Sequence, residues 1–201
     1  MFPLGSVLFP QMPLQLRVFE ERYLMMLSQL LKADTSEFGV VLIERGQEVG
    51  GGEHRFGVGT VAEIRQLGSH DGHVILLAQG GRRFAVDAWL DDAPHPQADV
   101  TDLPDLTWDP ELQSQLDYAN TVVRRALTIR SEFTEGQWSP DVELSKDPLA
   151  ASWQLAGVAP IGPLDQLALL GSESTPTLLS RLVEFTEEAM ADINTPWPEQ
   201  Q

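Results

Sequence analysis

Ser145 stands beside Lys146, and a serine next to a lysine is the pairing of a nucleophile with its base. Such a pair needs hydrogen-bond geometry fixed by further groups, which chain neighbours in a polar connection do not supply, so the adjacency is read as chance. His70 and His73 flank Asp71-Gly72 and have the donor types of a small metal cluster, but a polar hairpin tip accounts for them without an ion. Gly50-Gly51-Gly52 has the composition of an anion cradle, yet a phosphate loop should follow a strand and open a helix, and here Glu53, Arg55 and a strand pattern come next. Gly57-Val58-Gly59 lacks the third glycine and the helix of a dinucleotide fingerprint. Glu184, Glu187, Glu188 and Asp192 share a helical face and would serve as paired catalytic carboxylates only if buried together; the spacing equally gives a solvated face. No GxSxG, HExxH or GxxxxGK[ST] occurs. The expectation is a non-enzyme with no metal and no cofactor.

The elements that would have to position any site change character along the chain. Phe38 to Glu44 and Phe56 to Leu67 are rich in β-branched residues, and Val74 to Gln79 and Arg82 to Leu90 alternate or run apolar, with turns expected at Asp71-Gly72 and Gly80-Gly81. Phe19 to Lys32 places Phe19, Tyr23, Met26, Leu27, Leu30 and Leu31 on a helical stripe that would cover this sheet. After the Pro-rich stretch from Asp91 to Pro110, Asp109-Pro110, Asp147-Pro148 and Thr175-Pro176 each place a capping side chain before a proline, which marks three helix starts. The reading is α+β: a curled sheet with one covering helix over residues 1–106, then a helical subdomain over 107–201.

Composition limits the partners. The 201 residues are 42% hydrophobic, enough for a core, and carry 13 Lys plus Arg against 30 Asp plus Glu, net −17. That field repels phosphate backbones, and the only basic doublets are Arg82-Arg83 and Arg124-Arg125, so nucleic acid is not expected as a partner. The absence of Cys fits a reducing compartment, and cytoplasm is the expected location. Pro3, Gly5, Pro10 and Pro13 interrupt the apolar opening, which is read as a retained segment of the fold; no apolar run is long enough for a membrane helix.

The order of small motifs resembles one family. Phe2-Pro3-Leu4, Val7, Phe9-Pro10, Leu14, Leu16, Phe19-Glu20 and Arg22-Tyr23 are similar to the start of the amino-terminal substrate-binding domain of Lon proteases. Gly57-Val58-Gly59-Thr60, Ala62-Glu63-Ile64, the Asp71-Gly72 turn and Gly80-Gly81-Arg82-Arg83-Phe84 resemble its successive strands. Asp147-Pro148, Ser152, Leu155-Ala156, Pro160, Gln166 and Leu169-Leu170 resemble its helical part. The resemblance runs from about Phe2 to about Ile193 and implies a PUA-like β pseudo-barrel, with Phe2–Leu4 and Val7–Phe9 as its first segments, followed by an α-helical bundle. It further implies a role in protein quality control: recognition of unfolded or damaged polypeptides, with delivery to a separate ATP-dependent protease. The ATPase and Ser-Lys peptidase of full-length Lon have no counterpart in these residues. A PUA-like RNA or small-ligand binder is the alternative.

Peptide recognition requires an exposed apolar surface that adapts to varied sequences. Met25 and Met26 on the first helix, with Trp89, Trp138 and Trp153, are the candidate contacts, because methionine repacks easily and aromatic residues concentrate binding energy. Amphipathic spacing around Met26 and Trp153 also suits core positions. An exposed sheet edge would add a peptide strand with no side-chain signature at all.

Overall fold

In the computed structural model, residues 1–33, 35–46, 52, 54–70, 73–132 and 138–194 are described, and they fall into two compact units, Met1–Asp105 and Leu106–Gln201. The first unit is built on two strands of unusual length, β4 (His54–His70) and β5 (His73–Trp89), paired antiparallel from Val58 with Ala85 to His70 with His73. The Asp71-Gly72 turn and most of the Gly50-Gly51-Gly52 stretch lie outside the described residues. The register shifts between Thr60 and Ala62 and between Ile64 and Gln66, where the regular ladder is interrupted as it is at a β-bulge, are places where a long strand pair can bend and coil. On the other edge of β4, β3 (Glu37–Arg45) pairs antiparallel, and β1 (Phe2–Leu4) adds in parallel beyond it, Phe2 opposite Val40 and Leu4 opposite Leu42. The far edge of β5 is shared by two strands: β2 (Pro13–Val18) takes its first half and β6 (Ala98–Asp102) its second. The result is one six-stranded sheet in the order β1-β3-β4-β5-β2, with β6 also on β5.

Three details differ from the sequence reading. Gly80-Gly81 is not a turn: β5 passes straight through it. The glycine serves a close approach, since a Cβ on Gly80 would collide with the backbone carbonyl of Phe9. The Gly80 N–H donates to the Met12 carbonyl (2.9 Å), and the Gln11 N–H donates to the Gly80 carbonyl (2.8 Å), so the chain folds back onto the strand at this point. Val7–Phe9 is not a strand segment; Leu8 and Phe9 are nonetheless buried, and the buried Thr60 hydroxyl donates to the Leu8 carbonyl at 2.6 Å. β6 forms within the Pro-rich stretch from Asp91 to Pro110, because pairing with β5 satisfies its backbone whatever its side chains.

In the second unit, a single 3-10 turn (Pro110–Leu112) leads into α2 (Gln113–Ser131), followed by α3 (Pro148–Val158), α4 (Pro163–Leu170) and α5 (Thr175–Asn194). Asp109 accepts from the Glu111 N–H at 2.9 Å and Asp147 from the Ala150 N–H at 2.8 Å, each with proline in the first turn. At the third start the cap is Ser174, whose hydroxyl accepts from the Thr177 N–H, while the Thr175 hydroxyl instead donates to the Thr107 carbonyl at 2.7 Å. Leu116, Val123 and Leu127 of α2 are buried with Leu155, Leu170, Leu178 and Leu182 in the interior of this unit. No helix among the described residues is long and apolar enough to cross a membrane.

Deleting residues 1–10 removes β1 and the buried Phe2, Leu4, Leu8 and Phe9, and is expected to abolish cooperative unfolding; a truncated protein with an unchanged melting temperature would contradict this role. Gly80→Ala is expected to destabilise by about 1–3 kcal/mol in urea titrations, because the Phe9 carbonyl cannot yield without breaking the paired backbone around it.

Candidate functional site

The helix of the first unit, α1 (Glu21–Lys32), is made of strong helix formers with no proline or glycine, and its period of about 3.6 divides its apolar residues between two stripes. Tyr23, Met26 and Leu27 are buried. The Tyr23 ring stacks on Phe2 of β1 with centroids 4.0 Å apart, and the Arg22 guanidinium lies 4.4 Å from the same ring while pairing with Glu20 at 3.1 Å. Leu24, Ser28 and Leu31 follow at spacings of four and three on an adjoining face that the sheet leaves open.

That face is one wall of an apolar groove of about 510 Å³. The other wall is the distal end of the long hairpin, Leu67 and Gly68 on β4 and Val74 on β5, with Lys32 at the end of the helix. Leu31 is 63% exposed, an unusual state for a leucine on an amphipathic helix. Nothing lies within 4 Å of a Cβ built on Gly68, so the absent side chain leaves empty space in the groove wall. Phe19, also exposed, meets the His73 ring edge-on at 6.3 Å.

The residues named from sequence separate into distinct places. Met25 is 39% exposed on α1 but turns away from the groove. Met26 (2% exposed) and Trp153 (5%) are core residues and are withdrawn from the candidate surface: Met26 lies on the inward stripe of α1, and Trp153 on a helix buried on most of its sides, where apolar burial outweighs any contact role. Trp89 is half-buried beneath the Arg55 guanidinium, 4.9 Å from its ring, and packs on the Val41, Val61 and Phe84 cluster; Arg55 is itself held by a bidentate ion pair with Asp92. Trp138 lines a separate small pocket in the second unit. Leu24, Leu31, Leu67 and Val74 are not among the candidate contacts named from sequence; Phe19 and Leu31 are instead expected on the stripe that covers the sheet, and the structure leaves them 52% and 63% exposed because the sheet packs under Tyr23, Met26 and Leu27.

The arginine doublets are largely occupied within the fold. Arg82 donates two hydrogen bonds to Glu37 at 2.8 Å and two to Asp102 at 3.1 and 3.2 Å, which ties the start of β3 to the end of β6. The hydrogen bonds from Arg82 hold the Glu37 carboxyl below its ordinary pKa. Arg83 is buried and donates to the Pro104 carbonyl, and Arg124 donates to Asn120 and to the carbonyls of Pro140 and Val142. Glu184, Glu187 and Glu188 are exposed along α5, with Glu187 accepting from the Tyr118 hydroxyl.

His95, an isolated loop residue by sequence, anchors α1. It is buried, with one ring nitrogen 2.9 Å from the Gln29 side-chain oxygen and the other 3.1 Å from the Pro96 carbonyl. Burial holds its pKa below the ordinary imidazole value, with the Met1 amine acting in the same sense and the Pro96 carbonyl and Asp92 opposing.

Residues 1–188 match the ATP-dependent protease La (LON) substrate-binding domain family, and the chain belongs to that family. Among solved structures, it is similar to a Lon N-terminal domain protein from Xanthomonas campestris, at 26% identity and a TM-score of 0.67 over 92% of this chain and 95% of that one. The fold also matches the N-terminal domain of a Mycobacterium avium complex Lon protease, at 17% identity and a TM-score of 0.60 over 92% of this chain and 97% of that one. A Lon protease of Cytophaga hutchinsonii is 34% identical over 102 residues, which are 50% of this chain and 12% of that protein. The match thus spans about an eighth of the length of that relative. A mixed α+β fold with a six-stranded sheet is common to this chain and the Lon N-terminal domains.

Because the fold favours neutral His95, the unfolded chain binds more protons below its ordinary value of about 6.5, and stability is expected to fall as pH drops from there toward the lower folded value. His95→Gln is expected to flatten the dependence of melting temperature on pH between about 7 and 5; an undiminished slope would show that other groups govern it.

Proposed function

We propose that this chain is a non-catalytic polypeptide-recognition domain whose α1 groove takes apolar side chains of unfolded or damaged segments, and that it hands them to a separate ATP-dependent protease. In this reading the curled sheet is a PUA-like pseudo-barrel and the second unit a helical bundle, as the resemblance implies. One observation carries it: in a family of substrate-binding domains, an amphipathic helix leaves Leu24 and Leu31 exposed over a groove completed by Leu67 and Val74. Burying one leucine against a ligand is worth about 1.5–3 kcal/mol, enough for a weak, sequence-tolerant affinity when two or three engage. Such a surface selects on hydrophobicity and extension more than on sequence, which suits clients that share only the failure to fold. Against the RNA alternative stand the net charge of −17 and the internal engagement of Arg82, Arg83 and Arg124.

The test is binding of fluorescent unfolded peptides at physiological salt, with RNA oligonucleotides alongside. Micromolar binding to apolar peptides is expected. Gly68→Phe, which fills the groove from a position with open space, and Leu31→Asp, on an exposed site, should each weaken it about tenfold or more with the melting temperature unchanged. Peptide binding indifferent to both substitutions would remove the groove from the proposal, and salt-sensitive RNA binding without peptide binding would replace it with the RNA reading.

A further inference from the structure

The second unit contains a pocket of different character. It is small, about 220 Å³, and lies where the end of α2 meets the turn between α3 and α4. Its apolar part is Leu127, Val158, Ile161 and the half-buried Trp138. Its polar part is Arg130, Gln166 and Ser131, whose hydroxyl donates to the Thr128 carbonyl at 2.7 Å. The Arg130 guanidinium makes one long hydrogen bond, 3.4 Å to the Pro160 carbonyl, and pairs with no carboxylate among the described residues. The Gln166 side-chain amide likewise has no hydrogen-bond partner among the described residues. In a chain with 30 acidic residues, none of the described ones lines this pocket.

These features together select a ligand. A cation with most of its planar donor fork unused recognises a carboxylate in bidentate fashion, and an adjacent amide supplies a further donor. The apolar floor requires that the carboxylate carry a short hydrophobic group. The volume falls below the roughly 300 Å³ at which sites for drug-sized ligands begin, so one residue fits and a length of chain does not. We infer that this pocket binds a carboxylate bearing a single apolar side chain, the chemistry of the C-terminal residue of a polypeptide, with Arg130 and Gln166 on the carboxylate and Trp138, Val158 and Ile161 around the side chain.

As a site for chain termini the pocket rests on the polypeptide-recognition reading and extends it, because it distinguishes a free chain end from the interior of a chain. The same chemistry is offered by a free small acid, so acetyl-leucine is included beside the peptides. The carboxylate contact depends on charge and is weakened by salt, whereas contacts in the α1 groove are apolar and are not.

The experiment compares, on the full chain, one polar peptide ending in leucine as the free acid, the same peptide amidated, and acetyl-leucine, by titration calorimetry at low and physiological salt. The free acid is expected to bind about tenfold more tightly than the amide, acetyl-leucine to compete with it, and Arg130→Gln to abolish the difference while the circular dichroism and melting temperature stay unchanged. Arg130 is exposed, so its loss should not unfold the helix. Trp138→Ala should weaken acid and amide alike, by removing the side-chain contact without touching the charge. Equal binding of acid and amide, or an acid preference that survives Arg130→Gln, would overturn the inference. Leu31→Asp separates the two sites: an acid preference retained in Leu31→Asp supports the pocket whatever the fate of the groove, while acid and amide binding that are both lost in Leu31→Asp and both unchanged in Arg130→Gln and Trp138→Ala leave the groove standing and the pocket refuted.

Discussion

The antiparallel pairing of β4 with β5 is the interaction on which the rest of the first unit depends. Every other strand but β1 pairs directly with one of these two, and β1 reaches them through β3. Each register shift in the pair removes one backbone match and in return bends the sheet, so that a seventeen-residue strand can offer one edge to β2 in its first half and to β6 in its second. The close approach of Phe9 to Gly80 and the hydrogen bond from Thr60 to Leu8 fasten the opening segment to the same pair, one on each strand. Because these contacts join residues 52 to 71 positions apart, the sheet forms as a unit or not at all.

The helix that carries the groove is held from both sides of its sequence context. Tyr23 stacks on the first strand, and Gln29 reaches the buried imidazole of His95, so one stripe of α1 is fixed while the stripe beside it, with Leu24 and Leu31, stays exposed. Exposed leucines on a rigid helix invite self-association. A net charge of −17 opposes it by mutual repulsion, and the same charge leaves an uncharged apolar ligand unaffected. Strong acidity and an open apolar groove are in this sense complementary.

The scarce cations are used locally. Arg82 joins β3 to β6 through two carboxylates, Arg55 combines an ion pair with Asp92 and a cation–π contact with Trp89, and Arg124 gathers two carbonyls that follow α2. These are planar, multidentate contacts that lysine could not reproduce, and the chain contains only Lys32 and Lys146. Arg130 differs in lining a pocket with no acidic residue among the described ones and in making a single long hydrogen bond, to the Pro160 carbonyl.

Much of this was determined by sequence alone. β-Branched runs and alternation located β3, β4 and β5; Asp before Pro marked two helix caps at the correct residue; and the order of small motifs identified the family, because these signals depend on neighbours a few residues apart. Tertiary structure decided the rest. Gly80-Gly81 has the composition of a turn, and only the arrival of Phe9 from the far end of the chain shows that the missing Cβ serves a crossing. β6 carries no strand pattern of its own and exists because β5 has an edge to satisfy. Met25, Met26, Leu24 and Leu31 are equally apolar on a helical wheel, and which are core, which are solvent and which line a groove depends on where the sheet lies beneath the helix. Periodicity gives a helix its faces; the long-range packing of β1, β4 and β5 determines what each face meets.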